Sequence, residues 1–229
     1  MPAQEELKLF SPCQADLGES PVWDETHQCL LFVDISGGQI NALDLHGRLT
    51  RLYESPARIG ALALTEKGNL IFTRNAGVAI LDRTSLRVTQ NSKLAITLSS
   101  YRFNDGACDP QGRFITGLMD EGHSRNTGKL YRYDAGLALD IEGNVWVCQF
   151  NGGCLLQYDR NGVLLQTLPV PVPRPTSCCF GGPDMRTLFI TTAKFGMSAA
   201  EHADYPAAGN IYSIRLPVPG RPRHRFKER

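Results

Sequence analysis

Apolar residues along the chain fall in short runs rich in β-branched and aromatic side chains, with Gly, Asp, Asn or Pro between the runs. Stretches with helical spacing are almost absent, so the pattern predicts strands and turns throughout. One phrase recurs: small or apolar residues, a polar turn ending in Gly, an apolar strand, then a second strand ending in Asp. Copies begin at Ser20, Gly60, Gly106, Gly136 and Ser177. The polar turn residues that mark them are Asp24, Thr65, Asp109, Asp140 and Pro183, with steps of 41, 44, 31 and 43 residues. A period of about 40–45 residues with about four strands per unit is that of a β-propeller. The step of 31 is short by roughly one strand and its turn. At the junction YRYDAGLALD one unit runs straight into the next, so the third unit is expected to lack its outer strand. The fold class is therefore all-β, a propeller of five recognisable units over residues 1–216.

Composition changes this picture little. The chain has 229 residues, 42% of them hydrophobic and 21% charged, as in an ordinary globular protein. A formal net charge of +1 supplies no long-range attraction to nucleic acid or an acidic membrane surface, so neither partner is expected. No apolar run is long enough to span a bilayer, and the first ten residues carry no signal-peptide pattern. The seven cysteines are scattered without a CxxC pair, which reads as free, mostly buried thiols in a reducing cytoplasm rather than a structural zinc site. The basic, Pro-rich residues 217–229 are expected to form a disordered, solvated tail.

Five segments then resemble one family. LGESPVWDE at 17–25, LLFVDI at 30–35, RFNDGACDPQGRF at 102–114, IEGNVWVCQFNGG at 141–153 and RPTSCCFGGPDMRTLFITTA at 174–193 resemble, in order, the gluconolactonase/regucalcin family. The resemblance covers nearly the whole chain. It implies a propeller of the six-bladed gluconolactonase type, one divalent cation in the central channel, and hydrolysis of sugar lactones. Measured against the family, some sixty to seventy residues, about one blade plus one strand, are missing between Asp134 and Ala135.

The family's site maps here residue by residue. Glu19 in GESPVW matches a metal-ligand glutamate. Arg102 and Asn104 in RFND match residues that contact substrate, Asp105 shapes that loop, and Glu121 falls near another substrate-contacting acid. The family's asparagine ligand has no counterpart. Its aspartate, both metal ligand and general base, aligns with Ala135; Asp134, one residue earlier, takes that place only through a backbone shift. LYRYD and LLQYD both end in Asp, so Asp134 also reads as an ordinary strand-end turn residue. Oxygen ligands suit calcium first, with magnesium, manganese or zinc as alternatives. The cation would polarise the lactone carbonyl, and the carboxylate would deprotonate water. The expected function is a metal-dependent sugar lactonase impaired by the missing blade. The alternatives are an inactive calcium- or ligand-binding propeller and a protein-interaction propeller.

Overall fold

The structure is a computed structural model that describes residues 6–74, 77–93, 101–120 and 137–228. The described chain is almost entirely antiparallel sheet. The first sheet runs in simple order: β2 (Gly18–Asp24), which follows β1 (Lys8–Ser11) in the chain, then β3 (Cys29–Asp34), β4 (Gln39–Leu43) and β5 (Leu49–Glu54). The second contains β6 (Leu62–Leu64), β7 (Leu70–Arg74), β8 (Gly77–Asp82) and β9 (Arg87–Lys93). The third has two described strands, β10 (Tyr101–Cys108) and β11 (Phe114–Asp120). The fourth comprises β12 (Leu137–Leu139), β13 (Val145–Gln149), β14 (Cys154–Tyr158) and β15 (Leu164–Pro169). The fifth takes β16 (Pro175–Gly181), β17 (Thr187–Thr192) and β18 (Ile211–Arg215), and its outer strand is β1 (Lys8–Ser11) from the other end of the chain.

The repeat read from the sequence thus corresponds to sheets, one unit to one meander. The marker residues explain why. At the end of each first strand an oxygen side chain accepts N–H groups of its own turn: Asp109 Oδ1 from Gln111 and Arg113 (3.0 and 2.9 Å), Asp140 Oδ1 from Glu142 and Asn144 (3.0 and 2.9 Å). Thr65 does the same for Asn69 at 3.0 Å. Gly112 and Gly143 then take φ of 76° and 87°, which a side chain would oppose. In the fifth unit the accepting residue is Asp184, which receives Arg186 N–H at 3.2 Å, one position after the expected Pro183. Proline has no side-chain acceptor for this turn. The short helix α1 (Ala199–Asp204), capped by Ser198 in a capping box with Glu201, interrupts the fifth unit before β18.

First strands of neighbouring sheets pack side by side, in the order β12, β16, β2, β6, β10. Residues of all five line one cavity of about 470 Å³. In the first sheet, which has a neighbour on either side, every residue of β2 and β3 is buried. The ends of the row differ. Ile115 on β11 and Leu139 on β12 are each 40% exposed, and Ile141 is 54% exposed. Residues 121–136, which connect β11 to β12 and include the expected third strand of that unit, lie outside the described residues.

Residues 217–228, expected as a free tail, are instead laid across the turn-side ends of the first strands. Ile141 donates to Pro219 O, Arg221 to Leu139 O and Gly220 to Met185 O (3.0, 2.9 and 2.8 Å). Further on, Glu66 donates to Phe226 O, Phe226 to Leu64 O and Lys227 to Gly112 O (2.8, 2.8 and 2.9 Å). Arg225 pairs with Glu25 at 3.0 Å. The strap therefore touches all five sheets and spans both ends of the row. First strands have a free edge, and the tail supplies partners for backbone groups there that no neighbouring strand reaches.

Candidate active site

Glu19 sits at the opening of β2, at the opposite end from the strap. Its place is fixed by the loop before it. Asp34, ending β3, accepts Asp16 and Leu17 N–H at 2.9 and 3.1 Å. A bulge follows Glu19, where the register with β3 shifts and Ser20 takes φ of 49°. Ser20 Oγ both donates to Leu62 O and accepts Leu62 N–H, tying β2 to β6 (3.3 and 3.0 Å). Thr176 Oγ donates to Gly18 O, tying β2 to β16 on the other side.

Arg102, Asn104 and Asp105 come from β10. Arg102 Nη1 donates to Asn104 Oδ1 at 2.7 Å and to Phe103 O at 3.2 Å, so the two side chains matched to substrate contacts are already joined. Asp105 is at a second bulge, with φ of 23°, and the Thr116 hydroxyl donates to its carbonyl at 2.8 Å. This strained backbone turns Asp105 to the cavity, of which it forms part of the wall. Glu19, Arg102 and Asn104 do not line that cavity and stand beyond its Asp105 end.

Electrostatics join these residues into one cluster. Burial pushes the Glu19 carboxyl well above its ordinary range, and the negative charge of Asp105 adds to the rise. The Ser20 N–H and the Arg102 guanidinium act the other way. Two thiols belong to the same cluster. Cys148 on β13 is raised by burial and by a hydrogen bond shared with Cys178 on β16, with smaller contributions from Glu19 and Asp105. Sequence reasoning placed neither the thiols nor the Asp105 carboxylate against Glu19. A positive φ at Asp in a strand, marked only by the NDG triplet, was the sole signal. All seven cysteines are free: Cys29, Cys178 and Cys179 buried, the others half-buried.

The cation that the family resemblance implies can be tested against these residues. Glu19 and Asp105 offer carboxylate oxygens, the donor type for a hard divalent ion, and a cation would relieve their mutual repulsion. The donor set is partial: among the described residues no three His, Cys, Asp or Glu form a metal-binding group. Asp134 and Glu121 lie outside the described residues.

Meandering sheets whose first strands line one cavity, with a buried carboxylate, a guanidinium and an amide beyond its Asp105 end, define an all-β protein. The pattern of the SMP-30/Gluconolactonase/LRE-like region matches residues 17–136 and 136–194, so the chain belongs to that family. The two matched stretches meet at residue 136, next to the short step in the repeat. The chain is 28% identical to the 6-deoxy-6-sulfogluconolactonase of Pseudomonas putida, with 94% of this chain and 97% of that protein covered. That alignment runs over 284 positions, more than the 229 residues here, so the relative has residues with no counterpart in this chain. Regucalcin of Xenopus laevis is 27% identical, with 86% and 90% covered. The calcium-binding regucalcin structure from Agrobacterium tumefaciens superposes with a TM-score of 0.81 at 19% identity, covering 99% of this chain and 98% of that one, a likeness of fold. No helix among the described residues is long and apolar enough to cross a membrane.

Proposed function

We propose that the chain is a sugar-lactone hydrolase whose five sheets are blades of a six-bladed gluconolactonase-type propeller lacking about one blade between β11 and β12. The observation that carries the reading is the convergence of Glu19, Asp105 and Arg102 at the mouth of a cavity lined by all five first strands. The exposed apolar side chains of Ile115 and Leu139, on the two sheets flanking the short step, support a missing neighbour there. Family membership supports lactone chemistry, as does the Pseudomonas relative, a 6-deoxy-6-sulfogluconolactonase.

In this reading Glu19 and Asp134 hold one divalent cation, calcium first, with Asp105 adding negative charge beside it. When bound, the cation polarises the ester carbonyl and stabilises the charge that develops on its oxygen. Arg102 and Asn104, held together by their 2.7 Å hydrogen bond, orient the sugar hydroxyls without rearrangement. Glu121 contacts the sugar from the segment after β11. Asp134 takes the proton of the attacking water. Its one-residue displacement from the family position, and the absent asparagine ligand, make the enzyme slower than relatives with a complete ring. The compartment is the cytoplasm, and the substrate is a small lactone rather than a nucleic acid or membrane.

The test is hydrolysis of gluconolactone, corrected for the spontaneous reaction, with calcium, zinc or manganese added in turn. Wild type should hydrolyse it in a cation-dependent way. Asp134→Asn should lower the rate by about 10²–10⁴-fold while ligand binding persists. A rate indifferent to both cation and Asp134→Asn would refute the reading.

A further inference from the structure

Second strands run back from the strap, so the turns that follow β13 and β17 lie at the Glu19 end of the molecule. Each of these turns carries a phenylalanine: Phe150 after β13 and Phe195 after β17, 49% and 43% exposed. One side chain holds both. Arg174, just before β16, is only 8% exposed, and its guanidinium carbon lies 5.8 Å from the centre of the Phe150 ring. Its Nη1 donates to Phe195 O, its Nε to Asn151 Oδ1 at 2.8 Å and its Nη2 to Glu201 Oε1 at 3.3 Å. Glu201 is fixed in turn at the head of α1, where its other oxygen accepts Ser198 N–H at 2.8 Å.

Apolar side chains exposed singly need no explanation, but two aromatic residues anchored on one nearly buried guanidinium form a built surface. The backbone joins that surface to the site. Lys194 and Phe195 both donate N–H to Asp16 O at 2.8 Å, and Ala193 bridges to Leu17. Asp16 is three residues from Glu19, roughly 10 Å of extended chain. Arg174 is two residues before Thr176, whose hydroxyl donates to the carbonyl of Gly18, the neighbour of Glu19. The phenylalanines therefore stand beside the loop that delivers Glu19. They are further out than a single hexose bound at that carboxylate extends, and within reach of a second ring attached to it. The surface is also neutral, because Glu201 meets the Arg174 charge. An aromatic face is electron-rich and attracts the weakly positive C–H groups on the apolar face of a sugar ring. Asn151 gives its Oδ1 to Arg174, which leaves its amide N–H groups to donate to a hydroxyl.

We propose that Phe150 and Phe195, set in place by Arg174, form a stacking subsite that receives a second sugar ring carried by the ligand at Glu19. The inference rests on the lactone-hydrolase reading and names its substrate class: lactones of aldonic acids that bear a glycosyl group, the products of oxidising the reducing end of a disaccharide. The rings are held by packing and hydrogen bonds before any ligand arrives, so stacking costs little reordering.

The experiment measures calorimetric binding of two probes to the full chain in calcium buffer: gluconate, and lactobionate, which is gluconate bearing a galactosyl ring. Lactobionate should bind about tenfold more tightly. In Phe150→Ala combined with Phe195→Ala the two affinities should come within about twofold of each other, and Phe150→Trp should keep the preference. Leu165→Ala, on the outer strand β15, should leave the ratio as it is in wild type. Circular dichroism checks that each variant folds. A second measurement needs no variant: in wild type, magnetisation transferred from aromatic protons of the protein should reach the galactosyl C–H protons of lactobionate more strongly than those of its gluconate chain. Binding of neither probe, equal affinity for the two, a preference that survives loss of both phenylalanines, or transfer no stronger to the galactosyl ring overturns the inference. The outcome is separate from the lactonase reading: a galactosyl preference without lactone hydrolysis leaves the subsite standing and removes the enzyme, and hydrolysis with equal binding does the reverse.

Discussion

Asp34 accepts backbone N–H groups from Asp16, Leu17 and Gly37, at 2.9, 3.1 and 3.1 Å, and is itself buried. These bonds set the path by which the chain enters β2 and delivers Glu19. Asp34→Ala would leave three donors short of an acceptor, at a cost on the order of 3 kcal/mol or more. Urea unfolding should register that loss, and calcium affinity should fall with it although Asp34 is not a ligand. Unchanged stability would mean water replaces the carboxylate without penalty. At this scale the sequence was legible where a side chain acts within its own turn, as at Asp109 and Asp140. It was not legible at Asp105. Whether that carboxylate shapes a loop or faces a cavity depends on a bulge in β10, and on β2 lying opposite, which local pattern does not encode.

The strap is the element that pattern reading most underrated. PGRPRHRF has the proline and charge content of a solvated tail, and much of its side-chain surface is exposed. What orders it is its backbone, which pairs with the free edges of first strands, and no composition rule registers an unpaired edge elsewhere in the chain. Because the strap bonds to both β12 and the β10–β11 turn, it ties together the two sheets that flank residues 121–136. Removing residues 217–229 should therefore destabilise the protein by about 3 kcal/mol, or roughly 10 °C in Tm. Hydrogen exchange should quicken at residues 64–66, 112 and 139–141. A truncated chain with unaltered Tm and exchange would show that the strap is only laid on the sheets. The outer strand β1 was also unread, since four residues at the start of a chain carry no sign that they complete a sheet begun near the end.

For the whole molecule, the sheets were legible because each repeat closes its own turns, and the family because five motifs survive in order. The short step was legible too, as a step of 31 where its neighbours are above 40. Its consequence for the site was not, because a ligand set depends on how flanking sheets meet across 121–136. The account turns on Glu19: the loop tied by Asp34, the bulge at Ser20, the Asp105 charge and the Arg102 guanidinium are all arranged around its carboxylate. Calorimetric titration of calcium into wild type and Glu19→Gln tests that arrangement most directly. Wild type should bind one calcium per chain, and Glu19→Gln, which keeps size and loses charge, should bind none measurably. Equal calcium binding by the two proteins would contradict the account.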